Sequence, residues 1–251
     1  MDHGFQSQDF SIDRHSGISA WKQIADMINR SIQSGEYDHT GRVPPETVLA
    51  ERFGVNRHTV RNALASLVEE GLLSRVRGRG TMIEKREKLV FPISRRTRFT
   101  EGLAPQAGAI AREVIRSDVR PARKEMAEAL HLKEGEPLVY VCMIGFADQQ
   151  PVSLAATYFP HNRFPHMADL IGQHHSVTKA LVEQGVGDYV RVSTDVTGRL
   201  ATAEEAAHLK LGSGSVVLEA VSVNADLDSL PIQYSRTVFA ADRISLRFDT
   251  Q

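Results

Sequence analysis

Arg57 and Arg61 stand four residues apart in the stretch "FGVNRHTVRNALASLVEEGLLSRVRGRGTMI", residues 53–83. On a helix that spacing sets both guanidiniums on one face. A guanidinium can fork onto O6 and N7 of guanine or hold a phosphate. Asn56, His58 and Thr59 lie at the start of the same helix, where unpaired backbone N–H groups also suit phosphate. Arg75, Arg77 and Arg79 follow, the last two inside "RGRG". Gly78 and Gly80 let that backbone approach a duplex closely, so that Arg77 and Arg79 reach into or across a minor groove. Arg57 and Arg61 alone suit a solvated helix face equally well. The turn before them and the basic hairpin after them favour a nucleic-acid surface. "RGRG" is no nucleotide-binding loop, because no Gly-x-x-x-x-Gly-Lys follows it.

Three helices and a hairpin must position these groups. Trp21, Ile24, Ile28 and Ile32 recur at helical spacing, and Gly35 stops that helix. Pro44 and Pro45 set an extended entry to a short second helix marked by Val48, Leu49 and Phe53, and Gly54 suits its left-handed end. Asn56 caps a third helix with Val60, Leu64, Leu67 and Val68 as its buried stripe. Helix, turn and helix with Gly54 between them form the helix-turn-helix pattern, whose second helix enters a major groove by its first half. "LLSRV", "RGRG" and "TMIE" read as strand, tight turn and strand.

The charge of the 251-residue chain explains none of this. Its net charge is −1, yet residues 57–86 hold seven Lys or Arg against three Glu, so the basic surface is local. The single cysteine, Cys142, excludes an internal disulfide framework and fits a reducing, cytoplasmic setting. Residues 1–16 lack an apolar core for a secretory signal and read as a disordered arm. No apolar run is long enough to span a membrane.

Residues 85–93 ("KREKLVFPI") read as a linker between a first domain, 17–84, and a second, 94–251. The second contains a repeat. His131, Leu132, Lys133 and Gly135 answer to His208, Leu209, Lys210 and Gly212, and Pro151 answers to Pro231. Each unit reads as a helix end, a turn and a β-hairpin, which together predict a pseudo-symmetric α+β domain with a mainly antiparallel sheet.

Residues 18–84, through "PPETVLAERFGVNRHTVRNALASLVEEGLLSRVRGRGT", resemble the winged helix-turn-helix domain of GntR-family transcriptional regulators. The domain order and "RFTEGL" resemble the HutC subfamily, whose UTRA domain is similar to the chorismate lyase fold. "VNRHTVR" is most similar to regulators of phosphonate utilisation. The resemblance implies a repressor binding double-stranded operator DNA as a homodimer, without cofactor, metal or catalysis, and controlled by a small-molecule effector. It implies Arg57, Thr59, Arg61 and the wing around Gly78 as DNA contacts. Thr47 stands where the family often carries a further phosphate-binding Arg. The effector positions it implies are Arg98, Thr100, Ser176, Thr178 and Gln233, with Phe239 beyond them. Sugar-phosphate readers of the subfamily carry charged residues where this chain has Met143, Gly145 and Ala155. An anionic effector therefore falls to Arg95, Arg96, Arg98 or Arg236. The adjacent His174 and His175 lack the spacing of a helical metal pair.

Overall fold

The computed structural model describes residues 12–13, 16–84, 88–212 and 214–248. The chain divides into two units, Met1–Arg86 and Glu87–Gln251.

The first unit consists of α1 (Ala20–Gln33), α2 (Glu46–Phe53), α3 (Arg57–Glu69), β1 (Leu73–Val76) and β2 (Gly80–Ile83). Ile24 and Ile28 of α1, Leu49 and Phe53 of α2, and Val60, Leu64 and Leu67 of α3 close one core. Val48, expected to face it, is half exposed, and Ala50 is buried in its place. Gly54 ends α2 in the left-handed conformation, φ +62°. The Asn56 side chain accepts from the Thr59 backbone N–H at 2.9 Å and so caps α3. β1 and β2 pair antiparallel around a turn in which Gly78 has φ +80°, a conformation that penalises any side chain. Most of the arm 1–16 lies outside the described residues. Ile12 packs against the first core, and the Asp13 backbone N–H donates to the Gln23 side chain at 2.9 Å. This part of the arm is therefore tied down, by an apolar anchor and a hydrogen bond that composition does not reveal.

The second unit begins inside the expected linker. Residues 85–87 lie outside the described part, but Leu89–Ile93 form β3, which pairs parallel with β10 (Ile244–Phe248). Phe91 and Ile93 are buried, so these residues belong to the core of this unit. α4 (Phe99–Leu103) follows. The main sheet has six strands: β4 (Ile110–Pro121), β5 (Pro137–Ala147), β6 (Gln150–Pro160), β7 (Tyr189–Leu200), β8 (Val216–Asp226) and β9 (Pro231–Ala240). Their order is β4-β5-β6-β9-β8-β7, antiparallel throughout. It is two three-stranded meanders joined through β6 and β9. α5 (Lys124–Leu130) and α8 (Ala203–Leu209) occupy matching places between the first and second strands of each meander, while α6 (Met167–His174) and α7 (Val177–Glu183) lie between the two meanders in sequence.

The repeat is real, but its register differs from the sequence reading by two residues. The left-handed residues that end α5 and α8 are His131 and Lys210. The next backbone N–H, of Leu132 or Leu211, bonds back into its own helix at 2.8 Å in both. Gly135 and Gly214, both at positive φ, then answer to one another. The shared "His-Leu-Lys" letters misaligned the two copies, because a helix end is defined by backbone bonding and not by residue identity.

Candidate DNA surface and effector pocket

Arg57, His58 and Arg61 are all exposed on the surface of α3. Arg61 is held in place: its Nη2 donates to Glu46 Oε2 at 3.0 Å and its Nε lies 3.3 Å from both carboxylate oxygens. Glu46 begins α2, so this pair spans the two helices of the motif. The Arg61 guanidinium holds the Glu46 carboxyl below its usual range. Asn56 uses its side-chain oxygen for the cap, accepting from both the N–H and the Oγ1 of Thr59, which leaves its NH2 as the group to offer another partner. Arg75, Arg77 and Arg79 are exposed along the hairpin with Gly78 and Gly80 between them. Residues 41–43 add a short third strip to this wing, through Val43 N–H to the Thr81 carbonyl and Ile83 N–H to that of Gly41.

In the second unit a pocket of about 70 Å³ lies on one face of the sheet. Its floor is polar: Thr157 of β6, Ser222 and Asn224 of β8, and Gln233, Ser235 and Thr237 of β9. These residues alternate along their strands and so share a face. Asn224 donates to Gln233 Oε1 at 2.7 Å, and the Thr157 and Ser235 hydroxyls are 3.3 Å apart. One wall is Phe91, Thr97, Arg98 and Phe99; another is Val177 and Thr178, with the Thr178 hydroxyl 3.0 Å from that of Tyr189.

Of the expected effector residues, Arg98, Thr178, Gln233 and Phe239 line this pocket, and Thr100, Ser176 and Arg236 do not. Thr100 is exposed on α4, and Thr97 takes its place. Ser176 caps α7, accepting from the Lys179 N–H at 3.3 Å. Arg236 lies on the opposite face, three positions from Gln233 on one strand, and an odd spacing on a strand reverses the face. There it joins Glu219, which also binds Arg199. Arg98 donates to Asp188 at 3.1 Å and to the Tyr189 carbonyl at 3.0 Å, and its guanidinium stacks 3.5 Å over the Tyr189 ring. Its charge is thus compensated within the protein. Arg96 also pairs with Asp188, and Arg95 contributes only a carbonyl, to the Arg191 N–H.

Two cations that sequence reasoning missed complete the lining: Arg112 on β4 and Arg191 on β7. Arg112 pairs in register with Gly145, and Arg191 with Asn224, so they hold the same position in the two meanders. The Arg112 guanidinium lies 4.6 Å from the Phe99 ring centre, and its Nε is buried without a hydrogen-bond partner. Gly145 makes this arrangement possible. A Cβ there would stand 2.4 Å from Phe99 Cζ and 2.5 Å from Ser153 Oγ. The expected absence of charge at Met143 and Ala155 has a packing basis too, since both are buried. The sequence did carry a signal for Arg112: along "IAREV" it shares a strand face with the half-buried Ile110 and Val114, while Ala111 and Glu113 face the other way.

The pattern of bacterial regulatory proteins of the gntR family matches residues 20–83, and that of the UTRA domain matches residues 106–245. The chain belongs to the GntR family and carries a UTRA domain. It is a transcriptional regulator of that type. An uncharacterized HTH-type transcriptional regulator of Rhizobium meliloti is 51% identical over 95% of this chain and 98% of its own length. The mannosyl-D-glycerate transport/metabolism system repressor of Escherichia coli is 29% identical over 88% of this chain and 92% of its own. The crystal structure of PhnF from Mycobacterium smegmatis shares the fold, with a TM-score of 0.61 at 24% identity, over 88% of this chain and 98% of that one. Among the described residues no helix is long and apolar enough to cross a membrane.

Proposed function

We propose that this regulator is a repressor that binds its operator as a homodimer and releases it when a small polar effector enters the pocket of the UTRA domain. The observation that supports this most directly is the make-up of the pocket wall. Phe91, Thr97, Arg98 and Phe99 lie in the segment that follows the connection from the DNA-binding unit, and Phe91 stacks with Phe239 of the sheet at 5.0 Å. A ligand seated on the sheet therefore touches the first residues of the second unit, which follow the connection in the chain. It shifts the regulator between states only to the extent that it binds one of them better. At the DNA, Arg57 and Arg61 serve the major groove, Asn56, His58 and Thr59 the backbone, and Arg77 to Gly80 the minor groove. A dimer presents two such surfaces to half-sites about one helical turn apart.

The test is selection of operator fragments from genomic DNA by the full chain, followed by fluorescence anisotropy with metabolite pools added. Sequence-specific binding that a metabolite weakens is the expected result. Sequence-specific binding that no pool alters would overturn the effector reading.

A further inference from the structure

The two edges of the main sheet are built differently. β4 forms one edge and is blunted. A bulge falls between Val114 and Arg116, the strand carries Glu113, Arg116, Asp118 and Arg120, and Pro121 ends it. Bulges, charges and proline are devices that keep an edge strand from pairing. β7 forms the other edge. Its bulge lies at the start, between Arg191 and Ser193, where the Arg191 N–H is taken by the Arg95 carbonyl at 2.8 Å. Beyond that point the strand pairs regularly with β8 as far as Leu200. Among the described residues its outer side makes no backbone–backbone hydrogen bond there. Ser193 to Leu200 holds two charged residues. Arg199 is committed to Glu205 and Glu219, and Asp195 has no ion-pair partner among the described residues.

Apolar side chains stand along this edge. Val192, Val196 and Leu200 are 63%, 38% and 63% exposed, and Val216, the register partner of Leu200 on β8, is exposed as well. Their spacing is symmetric. Val192 and Leu200 each lie four residues from Val196, which is also the midpoint of the free edge. A second β7 laid antiparallel, with Val196 opposite its own copy, sets Val192 against Leu200 at both ends. Asp195 then meets the Thr197 hydroxyl, Thr194 meets Gly198, and no like charges face each other. A centre at Thr197 would set Asp195 against Arg199, whose charge two glutamates already take, and would leave no apolar pair.

Resting on the reading of the protein as a homodimer, we propose that β7 is the dimer edge. It pairs with β7 of a second copy about a two-fold at Val196, and the two six-stranded sheets continue as one antiparallel sheet. A two-fold contact requires a self-complementary surface of this kind. Ser222 and Asn224 of the pocket floor, on β8, then stand one strand away from the partner.

Crosslinking and sedimentation of the full chain test this. In a Cys142→Ser background, Val196→Cys places two thiols opposite each other, within the separation that a disulfide needs. Mild oxidation should give a covalent dimer on non-reducing electrophoresis. Thr197→Cys lies two residues out of register with its own copy and should give none. Val196→Lys sets like charges face to face at the centre of the contact, so the dimer should be lost in sedimentation at micromolar concentration while the circular dichroism of the parent is kept. Val119→Lys, on the exposed side of the other edge, should remain dimeric. Should Val196→Lys fail to fold, the two cysteine variants decide alone. A dimeric parent that crosslinks at Thr197, fails to crosslink at Val196, or stays dimeric with folded Val196→Lys would overturn this interface and leave the homodimer standing. A parent that sediments as a monomer would overturn both.

Discussion

The Arg61 guanidinium is fixed by the Glu46 carboxylate, 3.0 Å away on the neighbouring helix of the same motif. The arginine proposed to read a base thus has a protein partner within its own motif. Freed of that partner, Arg61 could take any phosphate within reach. Glu46→Gln should raise affinity for random DNA and lower the ratio of operator to random binding, by about tenfold. Anisotropy on both DNAs over a salt series measures this. An unchanged ratio would mean that Glu46 does not orient Arg61.

Arg57 has no such ion-pair partner among the described residues. Arg57→Ala and Arg61→Ala should each weaken operator binding roughly 10- to 100-fold, the range for loss of a good base contact. Arg77→Ala in the wing should weaken all sequences alike and reduce the slope of log affinity against log salt by about one phosphate contact. Retention of full affinity by both helix variants would refute the docking assigned to α3.

Gly145→Ala should damage the pocket from behind. The added methyl meets the Phe99 ring and the buried Ser153 hydroxyl at distances no Cβ sustains. Phe99 must shift, and the Arg112 guanidinium beside it shifts too. Overpacking of this kind costs about 1–3 kcal/mol. Urea unfolding of the second unit should register the loss. A midpoint equal to the parent's would show that the ring has free space to move into.

Asp226 predicts an acid sensitivity. It is buried at the end of β8, where it accepts from the Asp228 and Leu230 backbone N–H groups at 3.0 and 2.9 Å and pairs with Arg163. Burial alone raises its carboxyl, but Arg163 and the backbone donors outweigh that and hold it below the usual value. The unfolded chain therefore takes up this proton at higher pH than the folded chain. The stabilisation is complete above about pH 4 and is lost as the pH falls through the folded value. Asp226→Asn should cost about 1–3 kcal/mol at neutral pH. It should also flatten the fall in urea midpoint on acidification, and an equally steep fall in the variant would place the acid sensitivity elsewhere.

The proposed homodimer is checked by sedimentation of the full chain at micromolar concentration. A single monomeric species there, with operator binding that shows no dependence on protein pairing, would remove the symmetric reading of a palindrome.

The DNA-binding unit was legible in the chain because its determinants are local. The cap at Asn56, the left-handed Gly54, the stripe of Val60, Leu64 and Leu67, and the four-residue spacing of Arg57 and Arg61 all act within a turn or two of helix. Glu46 as the partner of Arg61 was not legible, since that contact depends on how two helices cross. In the second unit the antiparallel sheet and the repeat could be read from strand pattern and turns. The exclusion of Arg236 was also available, because strand parity separates it from Gln233. Leu89–Ile93 read as a linker because a short strand paired only with the far end of the chain has no local sign.

The helices, the wing hairpin, the strand pattern of each meander and the local excess of basic charge were legible because they follow from residues near one another in the chain. The tertiary structure alone decided which arginines are spent on internal carboxylates and which stand uncompensated in the pocket. Arg112 and Arg191 reach the same cavity because two meanders join through β6 and β9 in one register. That convergence is a property of long-range strand pairing, and no short window of sequence contains it.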